Sequence, residues 1–252
     1  TNSPAQQVAW LHVPRFTWRV ESTRSHYRIQ ECANWSVQHH QFTREVLGAC
    51  ISAHMIGEKY YNSPCAILSL TGSLLWALNY AHWLLSQGRL DIQIFLVDAW
   101  EIPKESISPA GFLAAHLEVA PLDIPWHDDP YHEYFVFGHV PSHAILGSVG
   151  IESAAGKEIN TLLPGFGQLH PRERLHESLG RLQRWTNVWG KLAAVASVTD
   201  DEIWAAGLTA RKFLRNPHPD VHFEITMMFL ALRKRDWSTE VWWRLLSVFK
   251  CT

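Results

Sequence analysis

Polar side chains stand on or beside predicted strands at three separated points, where apolar side chains would be less costly. They are Arg19, Ser69 together with Thr71, and Glu133. A guanidinium suits a phosphate, and a carboxylate suits a developing positive charge. An ionised group that is buried without a partner costs several kcal/mol, so these residues are paired or face a cleft. Two interpretations follow: Arg19 and Glu133 form a structural ion pair, or the four residues line a site.

The segments that carry these residues have the pattern of short strands. Residues 16–21 alternate in bulk, and residues 65–71 form an apolar run of strand length. Residues 133–137 and 144–149 predict two further strands, joined by a turn at 138–141. The sequence therefore places Arg19, the pair Ser69 and Thr71, and Glu133 on three different strands.

A helix, a core strand and an irregular stretch complete this half of the chain. Ser73 is the predicted N-cap of a helix over residues 74–85. Residues 91–98 alternate and then become wholly apolar, which predicts a core strand, and a short helix follows near 109–118. Residues 22–62 are polar without a clean period, which predicts irregular structure with short helices.

The second half of the chain has a different character. Glycine and proline between residues 156 and 167 predict a linker or long loop, and from about residue 170 the pattern is mostly helical. The signals there are a capping box from Thr199 to Glu202 and predicted helices at 221–234 and 238–249. We therefore expect an α+β domain over residues 1–155 and a mostly helical region over 156–252.

Composition narrows the classes of partner. The chain has 252 residues, and 47% of them are hydrophobic. Its net charge is −2, so it lacks the excess of basic residues that would indicate a nucleic-acid partner. It contains no run of 18 apolar residues, so we expect no membrane span. No signal peptide is recognised in the sequence, and both a cytoplasmic and a secreted location are open. The four cysteines show no CxxC pair and the 15 histidines are scattered, so we expect no metal site and favour buried or free thiols.

Three segments, in this order, resemble the ADP-ribosyltransferase fold, in the cholera-toxin-like branch with an arginine, a Ser-x-Ser/Thr strand and a glutamate. Arg19-Val-Glu-Ser is similar to the first strand of that fold. Ser69-Leu-Thr-Gly-Ser, leading into a helix, is similar to the Ser-x-Ser/Thr strand. Glu133-Tyr-Phe-Val-Phe-Gly, followed by His-Val-Pro, is similar to the glutamate strand and its Gly-x-Ile-Pro turn. The chain also resembles uncharacterised fungal domains of this type.

The resemblance implies a split β-sandwich with a C-terminal helical region, and NAD as a substrate held between two small sheets. It implies that Arg19 holds a phosphate, that Ser69 orients the nicotinamide side, and that Thr71 supports the strand. Glu133 would bond a ribose hydroxyl and stabilise the oxocarbenium-like transition state. Glu21 would hold Arg19 in position, or it is a solvated surface acid.

One position departs from the pattern of the family. Tyr131 stands two residues before Glu133, where relatives carry a second Glu or a Gln that serves the acceptor. Three alternatives are open. The chain is a mono-ADP-ribosyltransferase with another acceptor, such as a protein, which Tyr131 orients. Alternatively, it is an NAD glycohydrolase, with water as the acceptor, or an inactive scaffold. In a scaffold, the Trp-rich helices between residues 170 and 249 would bind a partner. The stripe of Trp76, Tyr80 and Trp83 is read as core rather than as a cofactor site.

Overall fold

The computed structural model describes residues 13–23, 25, 29, 43–55, 67–116, 133–151, 157–163, 196–232 and 235–250. Within them, six strands form one antiparallel sheet: β1 (Phe16–Glu21), β2 (Ile67–Thr71), β3 (Gln93–Asp98), β4 (Ile107–Pro109), β5 (Glu133–Phe137) and β6 (Ile145–Gly150). Their spatial order is β4-β5-β2-β1-β3-β6. Two short strands, β7 (Ala196–Ser197) and β8 (Arg235–Asp236), form a separate parallel pair.

Helices flank this sheet and dominate the second half. They are α1 (Arg44–Met55), α2 (Leu74–Ser86), α3 (Ala110–His116), α4 (Lys157–Leu162), α5 (Asp200–Phe213), α6 (Pro219–Leu230) and α7 (Thr239–Lys250). Short 3-10 helices lie at Ala99–Glu101, Lys104–Ser106 and Ser142–Ala144. An antiparallel sheet with helices gathered largely after it confirms the predicted α+β class.

The sheet has two three-stranded halves. Strands β1 and β2 pair at a single position, Trp18 opposite Thr71, whereas β1 pairs with β3 at six positions and β2 with β5 at five. One half is therefore β4-β5-β2 and the other is β1-β3-β6. Both halves contribute to one buried cluster, with Leu68, Leu70, Tyr134 and Val136 from the first and Phe95, Val97 and Ile145 from the second.

A second core joins the sheet to the C-terminal helices. The side chain of Trp18 is fully buried, and its ring meets the rings of Phe213 and Phe229 edge-on, at centroid distances of 5.2 and 6.3 Å. Helix α2 covers the same cluster through Ala77 and Leu78. Residues of β1, α2, α5 and α6 thus share one hydrophobic core.

Several predicted boundaries differ from the structure. The helix predicted over residues 221–234, for example, begins at Pro219 and ends at Leu230. Helix α4 occupies part of the stretch predicted as a linker, because Ile159, Leu162 and Leu163 recur at helical spacing and are buried in the second core. The strand predicted from residue 91 begins at Gln93. Asp91 has a φ of 52°, a left-handed conformation that a β-strand cannot include.

Candidate functional site

Arg19 lies on strand β1, and its side chain forms hydrogen bonds to Glu21 on the same strand and to Ser69 on β2. Its Nε donates to Oε1 of Glu21 at 2.6 Å, and its Nη1 donates to the backbone carbonyl of Ser69 at 2.9 Å. Residues two apart on a strand share one face, which explains the first contact. Glu21 is 5% exposed, and its Oε1 also accepts the backbone N–H of Ile29 at 2.7 Å. Glu21 therefore lies inside the protein against Arg19 and is not a solvated surface acid.

The register of β2 with β5 brings the other polar residues together. Thr71 lies directly opposite Glu133, and Ser69 lies opposite Phe135. Paired residues on antiparallel strands project from the same face, so Ser69, Thr71 and Glu133 share it. Hydrogen bonding from the Ser69 side chain lowers the pKa of Glu133, and the hydroxyl of Thr71 accepts the backbone N–H of Ser73 at 3.1 Å. Thr71 thus supports the turn that leads from β2 into α2.

Opposing effects act on the carboxyl group of Glu133. Burial raises its pKa above the ordinary value and is the largest effect. The hydrogen bond from Ser69 and the positive charge of Arg19 lower the pKa, but they offset the burial only in part. Arg19 and Ser69, which come from separated segments, therefore both act on the carboxylate of Glu133.

A residue that was not predicted from the sequence also contacts Ser69. His54, in the last turn of α1, places its Nε2 2.5 Å from the Oγ of Ser69. Its ring meets the ring of Phe135 edge-on, with centroids 5.2 Å apart. Leu47 and Ile51 of α1 are buried in the same cluster as Phe135. The signal was the spacing 47, 51, 54, which puts His54 on the buried face of a helix.

The aromatic stripe of α2 lies beside Arg19. The rings of Trp76 and Tyr80 stack with centroids 4.9 Å apart, and those of Tyr80 and Trp83 stack at 5.6 Å. Tyr80 and Trp83 pack against the second core, and all three side chains are partly exposed. Burial raises the pKa of Tyr80, while the charges of Arg19 and Arg89 lower it. The stripe is thus a partly buried layer near the candidate site.

A shallow depression lies elsewhere on the surface. Its volume is about 340 Å³, and it is lined by Pro14, Arg15, Phe16, Gly72, Trp100, Glu224 and Met228. Arg15 is bound there on two sides, by Asp98 at 3.0 Å and by Glu224 of α6 at 3.2 Å. This depression contains none of the residues predicted to act on a ligand. Arg15 serves to join the sheet to α6.

Several predicted features lie outside the described residues, among them Tyr131 and the cysteines at positions 32, 65 and 251. Cys50 is described, and its thiol is buried. Within the described ranges, no three His, Cys, Asp or Glu side chains are grouped so that they could hold a metal ion. No helix in those ranges has the length and apolar character needed to span a membrane.

Comparison with known proteins places the sheet region within a family. Comparison with curated proteins and with solved structures found no match to the chain. The described site residues Arg19, His54, Ser69 and Glu133 all fall between residues 12 and 154, the segment that matches a family profile. The chain belongs to the family described as Domain of unknown function (DUF7587), which spans residues 12–154.

Proposed function

We propose that this protein cleaves the nicotinamide–ribose bond of NAD, as a mono-ADP-ribosyltransferase or, with water as acceptor, as an NAD glycohydrolase. The observation that carries the proposal is the convergence of Arg19 and Ser69 on the carboxylate of Glu133. A carboxylate that is partly removed from water interacts more strongly with a nearby positive charge than one in solvent. Cleavage of this bond develops such a charge on the ribose.

The architecture supports an ADP-ribosyltransferase-like split β-sandwich with a C-terminal helical region. The two halves of the sheet pair at one position only and share a buried cluster. Arg19 bridges β1 to β2 next to that position. The site therefore sits where the halves diverge, which is the place that the fold would offer to a dinucleotide.

Each residue has a defined part in the proposed reaction. Arg19, held by Glu21, binds a phosphate of NAD. Ser69 orients the nicotinamide side, and Thr71 supports the strand. Glu133 accepts a hydrogen bond from a ribose hydroxyl while the C–N bond breaks and its electron pair leaves with nicotinamide. In glycohydrolysis, a water oxygen then bonds to the ribose carbon and the water releases a proton.

An inactive scaffold is the second candidate. The side chains of Trp204 on α5 and Trp243 on α7 are 57% and 65% exposed. Large aromatic side chains are enriched at protein interfaces, so these two would contact a partner. In that case the Arg19–Glu21 ion pair would be purely structural.

The test is release of nicotinamide from NAD by the purified protein, alone and with cell lysate. Release without lysate indicates glycohydrolysis or self-modification, and release only with lysate indicates transfer to an acceptor. We expect Glu133→Gln, which is nearly isosteric, to reduce turnover by about 100-fold or more and to leave NAD binding by calorimetry intact. Wild-type turnover in Glu133→Gln would refute the mechanism. If the wild-type protein neither releases nicotinamide nor binds NAD, the scaffold is favoured.

A further inference from the structure

The depression beside Arg15 has no part in the proposed cleavage of NAD. Its volume of about 340 Å³ is at the lower end of the range for ligand-binding clefts, roughly 300–1,000 Å³. Its charged side chains are Arg15 and Glu224, which form an ion pair, and four apolar side chains surround them: Pro14, Phe16, Trp100 and Met228. An apolar lining with a few polar groups is typical of a binding site.

The ring of Trp100 is held in place although much of it is open to solvent. Its Nε1 donates to the backbone carbonyl of Val13 at 3.3 Å, and its backbone N–H donates to Oδ1 of Asp98 at 3.2 Å. Trp100 is nevertheless 59% exposed. Because the ring is already oriented, a group that stacks on it would cause little further loss of side-chain entropy.

The aromatic rings of the depression already lie close to one cation. The guanidinium carbon of Arg15 is 4.8 Å from the centroid of the Phe16 ring and 5.9 Å from that of the Trp100 ring. Tryptophan attracts positive charge more strongly than the other aromatic rings, and the attraction extends to about 6 Å. Arg15 therefore lies well within range of Phe16 but only at the limit for Trp100.

The charges at the depression are unbalanced. Arg15 donates from Nε to the buried carboxylate of Asp98 at 3.0 Å and from Nη1 to Glu224, whose side chain is 44% exposed. Two carboxylates thus meet one guanidinium, which leaves one negative charge in excess. Within the described part of the chain, Nη1 of Arg15 is the only hydrogen-bond donor to the Glu224 carboxylate, at 3.2 Å from both oxygens. A carboxylate can accept about four hydrogen bonds, so Glu224 can bond a second cation and keep Arg15.

We propose that this depression binds an arginine side chain of a polypeptide partner. The guanidinium of the partner stacks on the exposed face of Trp100 and donates to the oxygens of Glu224, which neutralises the excess negative charge. Arginine is favoured over lysine because its planar group can stack and form two parallel hydrogen bonds at once. An anion is disfavoured, since Arg15 is already bonded to two carboxylates. This binding does not depend on the proposed cleavage of NAD.

The experiment titrates nitrogen-15-labelled wild-type protein with N-acetyl-arginine amide. The readout is the NMR signal of the Trp100 indole N–H, which Trp100→Phe assigns by removing it. N-acetyl-citrulline amide is the matched control ligand, because it has nearly the same shape but no charge. We expect a saturable shift with the arginine compound, and binding of the citrulline compound that is about tenfold weaker or less, as the loss of a charged hydrogen bond implies.

Two charge-removing variants test the site itself. Glu224→Gln should weaken binding of the arginine compound by about tenfold. Glu240→Gln, which removes an exposed carboxylate on α7, should leave it unchanged and so controls for net charge. Equal binding of the arginine and citrulline compounds, equal binding of N-acetyl-lysine amide, or unchanged binding in Glu224→Gln would overturn the proposal.

The comparison of ligands needs only the wild-type protein, so it decides the matter even if Glu224→Gln does not fold. The outcome is also separate from that of the NAD assay. Selective binding of the arginine compound by a protein that never releases nicotinamide would support this site and refute the proposed reaction alone.

Discussion

At the scale of single residues, Arg19 and Glu21 depend on each other. The side chains are 13% and 6% exposed and are joined by a 2.6 Å contact. Glu21 also accepts the backbone N–H of Ile29. Removing one member of a buried pair is more costly than removing both, because the remaining charge is left without its partner.

We therefore expect Arg19→Ala to reduce the free energy of unfolding by roughly 3 kcal/mol, and Arg19→Ala with Glu21→Gln to recover part of that loss. Glutamine keeps an oxygen that can accept from Ile29 but carries no charge. Urea unfolding of the two variants and of Glu21→Gln alone completes the cycle. Equal destabilisation by Arg19→Ala and by the double variant would contradict the coupling.

The carboxyl group of Glu133 gives a prediction of stability against pH. Its pKa in the folded protein is raised by burial, so folding favours the protonated form. The resulting contribution to stability is present below the unfolded-state pKa and is lost as the pH rises through the folded-state pKa. At neutral pH, Glu133 is therefore a group that destabilises the fold.

We expect Glu133→Gln to be more stable than the wild-type protein at neutral pH, and the difference to shrink as the pH falls to about 4. Thermal unfolding of both proteins across this range is the measurement. A carboxylate kept ionised at some cost in stability is common at functional sites. A difference that stays constant with pH would show that the Glu133 pKa is not raised.

At the scale of elements, caps set where helices begin. Thr199 caps α5 reciprocally with Glu202: the Thr199 hydroxyl accepts the Glu202 N–H, and the Glu202 carboxylate accepts the Thr199 N–H. Helix α5 carries Phe213 into the core beside Trp18. The start of α5 therefore contributes to the packing of the sheet.

We expect Thr199→Ala to lower the free energy of unfolding by about 1 kcal/mol. Thr199→Ser, which keeps the hydroxyl, is the matched control, and its free energy of unfolding should fall by only a few tenths of that amount. The midpoint of urea unfolding measures both. Equal stability of the alanine and wild-type proteins would show that the cap is not used in solution.

At the scale of the whole molecule, the sheet and the helical region are in close backbone contact at Gly147. A Cβ at Gly147 would lie 2.0 Å from the carbonyl oxygen of Phe213, at the end of α5. The backbone N–H of Arg215 donates to the carbonyl of Leu146 at 2.9 Å beside this contact. The backbone of β6 therefore approaches that of the segment after α5 as closely as only glycine permits.

We expect Gly147→Ala to destabilise the protein by about 1–3 kcal/mol, because the clash is with backbone and must move β6 or the end of α5. Gly207, within α5, is the control, since nothing lies within 4 Å of its added Cβ. Gly207→Ala should stabilise by about 0.5–1 kcal/mol through helix propensity. A neutral Gly147→Ala would mean that the two regions are not held in this arrangement.

The sequence by itself determined the local elements and much of the site. Alternation in side-chain bulk predicted the strand at 16–21, which the structure contains with the same bounds. The capping box at Thr199 could be predicted because both partners lie within one helical turn. The pairing of Arg19 with Glu21 was also open to prediction, since residues two apart share a face of a strand. These features depend on neighbours along the chain.

Only the tertiary structure decided which distant residues meet. His54 reaches Ser69 because α1 packs across β2 and β5, and neither the docking of a helix nor strand register is encoded in local periodicity. Helix α4 went unrecognised because flanking glycines masked a short apolar repeat that is stabilised by the core. The raised pKa of Glu133 likewise arises from burial, which is a property of the assembled fold and not of any single segment.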